Sequence, residues 1–302
     1  MRIALVTTSW PESSDAPSGH FVQAEARALE RAGHEVVVIA PPPGGAFGWP
    51  GVESRVRERP IRAGEAAWWV ASARHRLTHL PAVHRTIAHW AIPSAWPIGV
   101  AGPGALDVVS HGGDVRLLLA LPNIVRHRIA GAIAGRARVW RFVSERLLSG
   151  LLREIDAETR ALVERIALVE APALDMPDIR LRVLQMRERL GARKVAVCVA
   201  RLVASKHVDR AIEYVASSHK FDGLVVVGDG PERASLQRLA RFRGIDARFV
   251  GVVDRGEALA WIASAQALLH GSDAEGASTV VREAHELGTP VVVLGADGCL
   301  ER

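Results

Sequence analysis

The sequence predicts an α/β protein of two domains, each built on a parallel sheet. Three observations carry this reading. Short continuous apolar, β-branched runs recur along the chain, such as Val195–Ala200, Leu224–Val227 and Val291–Leu294, and strands buried on both faces have this composition. Loops rich in glycine and helical segments follow several of them, as in repeated strand–loop–helix units. The length of 302 residues, with 49% hydrophobic and 24% charged residues, is enough for two ordinary cores. The divide is expected near residue 165, giving domains 1–165 and 166–302.

The N-terminal half opens with Met1–Thr8 as a strand. It lacks the long apolar core and cleavage site of a signal peptide. A polar loop, Ser9–Gly19, leads to a helix over Phe21–Ala32, with Ala24, Ala28 and Leu29 on one face. Gly33 ends that helix and Glu35–Ala40 forms the second strand. No Gly-x-Gly-x-x-Gly follows the first strand, so this is not a dinucleotide fingerprint. His34 reads as a turn residue, while His20 is open between turn and site. Pro41–Pro60 is rich in Gly and Pro and reads as a loop; the basic cluster Arg55–Arg62 suits either a solvated surface or contact with an acceptor or membrane. Ala105–Ser110 is a strand, His111-Gly-Gly follows it, and Asp114 is a suitable N-cap for a helix over Val115–Leu121. Val139–Ser144 is a further strand leading into a helix at Glu145.

In the C-terminal half, Val195–Ala200 is a buried strand with Arg201 and Lys206 in the loop at its carboxyl end, where open α/β sheets bind ligands. Leu224-Val-Val-Val-Gly-Asp-Gly-Pro231 is a strand ending in a tight turn, with Pro231 starting the next helix. Ala247–Val253 is a short strand. Glu275-Gly-Ala-Ser-Thr-Val-Val-Arg-Glu283 reads as a loop running into a helix from Ser278 or Thr279, stopped by Gly288 before the strand Val291–Leu294. Two carboxylates are thereby held at fixed separation, and the backbone amides between them face an approaching anion.

This element, Glu275…Glu283, resembles the paired-glutamate motif of the retaining GT-B glycosyltransferases of family 4 (glycosyl transferases group 1). Other landmarks occur in the family's order. Arg201-Leu…Lys206 is similar to its Arg…Lys loop, with Ala200 and His207 in place of two glycines, which makes the loop less permissive. Gly228-Asp-Gly-Pro231, Ala247–Val253, Gly19-His-Phe, His89-Trp-Ala-Ile-Pro-Ser94 and His111-Gly-Gly-Asp114 also resemble family segments. The resemblance implies a GT-B fold, two Rossmann-like domains facing across a cleft. It implies sugar transfer from a UDP-, GDP- or ADP-sugar to a saccharide, lipid-linked or small-molecule acceptor, with retained configuration and no cofactor. Carried over, Arg201 and Lys206 hold the diphosphate and stabilise its departing charge. Glu283 takes the ribose, Glu275 positions the sugar, and His111 and Gly19 line the cleft. Gly228, Asp229, Gly230, Gly251, Val252, Gly276, Ala277 and Ser278 shape the donor pocket. No metal is expected, since no Asp-x-Asp stands at a strand end.

Two departures accompany the resemblance. Ala171–Pro177 replaces the family's usual Asn-Gly-Val-Asp turn, and the sequence stops at Arg302 where family members continue, so the donor domain is expected to be incomplete at its C-terminus. Net charge is +5. Residues 1–165 hold 20 Arg, no Lys and 15 acids, which is the whole excess; residues 166–302 hold 18 of each sign. A basic acceptor-side domain suits peripheral docking on an anionic membrane surface, and equally plain solubility. Nucleic acid is disfavoured, because no stacking aromatics interleave with the cations. Two cysteines, Cys198 and Cys299, without metal-ligand company point to a reducing compartment, the cytoplasm. The rival readings are a non-catalytic sugar-nucleotide-binding homologue, a sugar-nucleotide 2-epimerase and, last, a dehydrogenase.

Overall fold

The computed structural model describes residues 1–11, 19–48, 51–172, 174, 176–272, 278–295 and 300–301. The chain divides into two compact units, the first ending at Asp175 and the second beginning at Met176.

In the first unit, β1 (Arg2–Val6), β2 (Glu35–Ile39), β3 (Arg85–His89), β4 (Ala105–Ser110), β5 (Ala137–Phe142) and β6 (Ala167–Val169) form one parallel sheet, ordered β2-β1-β3-β4-β5-β6. The order reverses between β1 and β3. Ile3, Leu5, Ile87, Leu106, Val108, Trp140 and Phe142 are fully buried, as expected where helices cover both faces. An acidic residue of this sheet is buried: Asp107 of β4 is 1% exposed, and both Arg85 and Arg138 pair with it from the neighbouring strands. Two opposite charges flank it, which is the condition under which a buried carboxylate is tolerated.

Several expectations shift here. The helix after β4 spans Gly113–Leu119 with Gly112 as its N-cap, so Asp114 lies inside the first turn instead of capping Val115–Leu121. Its carboxylate is drawn to other donors, described below. Inside the stretch read as loop, Val52–Glu58 forms a helix, and a longer one, Arg62–Thr78, follows. The longer helix is held by Trp69, Ala73 and Leu77, which pack with Ala4, Val6 and Ile39. The first sheet also reaches beyond residue 165, because β6 pairs with β5 through Trp140–Ala167 and Phe142–Val169.

In the second unit, β7 (Val195–Val199), β8 (Gly223–Val227), β9 (Ala247–Gly251), β10 (Ala267–His270), β11 (Val291–Leu294) and β12 (Leu300–Glu301) are ordered β12-β11-β10-β7-β8-β9. All pair in parallel except β12, which runs antiparallel to β11. The chain lays β7, β8 and β9 outward in one direction, then returns to place β10 on the other side of β7. Strand order thus reverses between β7 and β10, and the crevice outside the carboxyl ends at such a point is where open α/β sheets bind ligands. After β8 the helix spans Arg233–Phe242, with Glu232 at its N-cap, so it starts two residues beyond Pro231.

Candidate functional site

The carboxyl edge of the second sheet is assembled mostly from main chain. Ala200 N–H donates to Val227 O (3.0 Å), Leu202 N–H to Asp229 O (2.9 Å) and Gly228 N–H to Gly251 O (2.8 Å). The loops after β7, β8 and β9 are thereby stitched side by side. Glycine is required where they touch. Gly228 has φ +127°, and a Cβ there would overlap the carbonyl oxygen of Ala200; a Cβ on Gly230 would overlap that of Leu202. Asp229 turns back into the protein: its Oδ1 accepts from Gly230 N–H at 2.8 Å, and its Oδ2 accepts from Arg233 at 2.8 Å. Arg233 also donates to Phe249 O at 3.0 Å, which ties the end of β9 to the same loop. Val252, just beyond Gly251, is about half exposed.

Arg201 stands two residues beyond the end of β7. Ala204–Lys206 makes one 3-10 turn, and His207 (φ 46°, ψ 48°) caps the helix Val208–Ser218 in the left-handed region. Where glycine would sit freely, this residue takes the same conformation at a cost of roughly 1 kcal/mol. Across the reversal point lies the end of β10, where a Cβ on Gly271 would overlap the His207 carbonyl oxygen. Ser272 donates to Ser205 O at 3.3 Å, and Arg210 donates to Gly271 O at 3.0 Å. Burial, with the Lys206 charge adding to it, holds the His270 imidazole down at about 4. Burial pushes the Cys198 thiol up to about 12, so it is an inert core group.

Glu283 lies in the helix Thr279–Glu286, behind Ser278 at the N-cap. Its carboxylate is 2.5 Å from Arg255, the first residue of the helix Arg255–Ser264, and both side chains are largely withdrawn from solvent. Burial raises the Glu283 carboxyl above its usual range, with Arg255 opposing the rise. Arg255 was not anticipated from the sequence: it stands 28 positions away, with no local motif pointing to it. Glu275, Gly276 and Ala277 lie outside the described residues.

The first unit brings a second group together at the carboxyl ends of β1, β3 and β4. Gly19 (φ +89°) precedes the helix His20–Arg31, and a Cβ on it would crowd Pro11. His111, at the end of β4, is partly buried. It stacks on His89 (5.2 Å between centroids, 12° between planes) and is flanked by Phe21 at 4.6 Å and Trp90 at 4.9 Å. His89 Nδ1 and His111 Nε2 are 3.0 Å apart. His89 is fully buried, with its Nε2 3.5 Å from Glu25, which in turn pairs with Arg141. Asp114 fixes the loop, accepting from His111 N–H (3.1 Å), Gly112 N–H (3.0 Å) and Ala91 N–H (2.7 Å). Burial, reinforced by the Arg141 charge, lowers the His89 imidazole to about 3, and burial followed by His89 and Arg141 holds His111 well below its ordinary value. Sequence reasoning placed His111 and quoted His89, yet did not pair them. Glu25 and Arg141 carried no signal beyond their charge.

Residues 185–301 match the family model described as Glycosyl transferases group 1. TuaC of Bacillus subtilis (strain 168), whose name places it in teichuronic acid biosynthesis as a glycosyltransferase, is 24% identical over 99% of this chain and 82% of its own. A GDP-mannose-dependent alpha-(1-6)-phosphatidylinositol monomannoside mannosyltransferase of Mycobacterium tuberculosis (strain CDC 1551 / Oshkosh) is 35% identical over 39% of this chain, a stretch covering 34% of that protein. Among solved structures, Anabaena HepE in complex with UDP-glucose superposes with a TM-score of 0.63 at 19% identity, covering 97% of this chain and 80% of HepE. WaaG, a glycosyltransferase involved in lipopolysaccharide biosynthesis, gives 0.62 at 19% identity over 96% of this chain and 80% of WaaG. The fold is GT-B, two Rossmann-like domains, and the similarities support a group 1 glycosyltransferase.

Proposed function

We propose that the protein transfers a sugar from a nucleoside diphosphate sugar to an acceptor hydroxyl, with retention of configuration and without a metal. The observation that supports it best is the gathering of Arg201 and the Lys206 loop, with the close-packed glycines 228, 230 and 271, at the reversal point of a sheet within the stretch that matches the group 1 model. The chemistry asks for such an edge. As the C1–O bond breaks, its electron pair stays with the diphosphate, and an Arg fork and a Lys point charge stabilise that charge. The acceptor oxygen bonds C1 on the same face and passes its proton to the departing phosphate oxygen. Glu283 is assigned to the ribose diol, and Gly251, Val252 and Ser278 to the nucleotide side. Glu275, with Gly276 and Ala277, is assigned to the sugar and its diphosphate, and His111 and Gly19 to the sugar side, all by resemblance.

UDP-glucose and GDP-mannose are the leading donors, because the names of HepE and of the mycobacterial relative carry them. A saccharide or lipid-linked acceptor suits the name of the mycobacterial relative, which carries a phosphatidylinositol monomannoside, and the basic first 165 residues suit peripheral contact with an anionic membrane from the cytoplasmic side.

Thermal unfolding against UDP, GDP, ADP and their common sugars tests the donor site, on wild type and on Arg201→Ala/Lys206→Ala. A ligand at 100 times its Kd stabilises by about 2.7 kcal/mol, a rise of a few degrees. A shift with one nucleotide family in the wild type and none in the variant supports the reading; no shift with any of them overturns it.

A further inference from the structure

The chain Arg141–Glu25–His89–His111 has a consequence for the proton on His111. Each neutral imidazole carries one N–H, and a single hydrogen bond joins the two rings, between His89 Nδ1 and His111 Nε2. The direction of that bond is set at the far side of His89. There Nε2 faces the Glu25 carboxylate at 3.5 Å, and Arg141 holds that carboxylate in place. A carboxylate only accepts. A bare Nε2 lone pair would be repelled by it, whereas an Nε2–H is attracted, so the proton of His89 belongs on Nε2. Its Nδ1 is then an acceptor, and the proton in the shared bond comes from His111 Nε2. A doubly protonated His89 would reverse the bond, but full burial and the Arg141 charge oppose it.

We infer that Glu25 and His89 are positioning residues that hold His111 in its Nε2–H form, leaving Nδ1 to accept a hydrogen bond from a hydroxyl of the sugar substrate. That last part rests on the proposed function; the tautomer does not. Fixed in this form, His111 discriminates between ligand groups: its open ring nitrogen receives a hydroxyl proton and repels a phosphate oxygen. The ring is also clamped, between Phe21 and Trp90 on its flanks and by Asp114 on its backbone N–H. A stacked, oriented ring of this kind acts as a sugar-hydroxyl acceptor and not as an anion site.

The variant Glu25→Gln tests the relay without touching either histidine. Arg141 takes the amide carbonyl, so the NH2 faces His89 Nε2 and donates to it. His89 must then move its proton to Nδ1, and His111 must accept on Nε2 and carry its own proton on Nδ1. Long-range 1H–15N spectra of the full chain read the tautomers directly, with His89→Gln and His111→Gln assigning the signals. The expected result is Nε2–H on His111 in wild type and Nδ1–H in Glu25→Gln. The kinetic counterpart is a rise in KM for the sugar nucleotide of about tenfold, with the affinity for the free nucleoside diphosphate unchanged. Nδ1–H on wild-type His111 overturns the proposal, and that measurement needs no variant to fold. An unchanged His111 pattern in Glu25→Gln overturns the relay. If the tautomers behave as stated while no nucleotide binds the wild type, the hydroxyl-acceptor role falls together with the transferase reading, and the positioning chain stands.

Discussion

Arg255 and Glu283 form a 2.5 Å ion pair between separate elements, from the first residue of the helix Arg255–Ser264 to the middle of the helix Thr279–Glu286. Glu283 is 7% exposed, so its charge depends chiefly on that guanidinium, with a smaller contribution from Arg282. Arg255→Ala leaves the carboxylate buried without its counter-charge and is expected to destabilise by about 3 kcal/mol at neutral pH. The sign with pH follows. A carboxyl whose folded pKa is raised favours the folded state at low pH, and that contribution is lost as pH rises above the ordinary 4.5. Removing Arg255 raises the pKa further, so the deficit of the variant shrinks on acidification. Urea midpoints of the two proteins at neutral and mildly acid pH measure this; a constant deficit would refute it.

Two glycines with similar backbone signs separate strain from contact. Gly244 has φ +68° with open space around it, and Gly244→Ala is expected to cost about 1 kcal/mol. Gly228→Ala adds a carbon where the Ala200 carbonyl already stands and is expected to cost about 3 kcal/mol or more, or to prevent the second unit from folding. Equal chemical-denaturation midpoints for the two variants would show that the close approach does not exist.

Asp114 accepts three backbone N–H groups that have turned away from solvent. Asp114→Ala leaves them without a partner and should cost roughly 2–4 kcal/mol, with Asp114→Asn intermediate. The ring-proton resonances of His111 should move in both variants, because its own N–H is one of the three.

The buried histidines predict acid sensitivity. His89 titrates at about 3 in the folded state and at 6.5 ordinarily, so between those values the unfolded chain binds the extra proton. Stability is therefore full above about pH 6.5 and falls as pH drops, by about 1.4 kcal/mol per pH unit for each such histidine well inside its window. His270, at about 4, acts in the same direction, and Glu283 acts against it. Denaturation midpoints measured from about pH 7 to about pH 5 should decline, and His89→Gln should flatten the decline.

The proposed transfer uses fixed cations and no metal. Initial rates with the donor identified by thermal shift should be unchanged by a chelator, and the product anomeric configuration should match that of the donor. A rate lost on chelation and restored by a divalent ion would refute the metal-independent reading.

Much of this was legible in the sequence, for identifiable reasons. Strands such as Val195–Val199 and Gly223–Val227 are buried on both faces, so their composition alone betrays them. The non-glycine at 207 marked a less permissive loop, and the His207 backbone takes the left-handed region. The helix Val52–Glu58 was hidden because Gly and Pro on either side read as loop, while β6 is only three residues long and was missed. Asp114 looked like an N-cap because the rule is local, whereas its partners include Ala91, 23 positions back. The same limit hid Arg255 and the Glu25–His89 contact. Residues far apart in sequence meet through the sheet order, and one sequence prints no register for that.

The stitched edge of the second sheet sets how such a protein could change its preferences. Where Ala200, Leu202, Gly228 and Gly251 meet, main chain bonds main chain, and the glycines leave no side chain to exchange. That part behaves as a fixed chassis, and substitution there trades away folding before it alters recognition. Variation is confined to what is mounted on the chassis, such as the half-exposed Val252 or the Asp229–Arg233 pair. Libraries aimed at a new donor should vary those mountings and leave the frame alone.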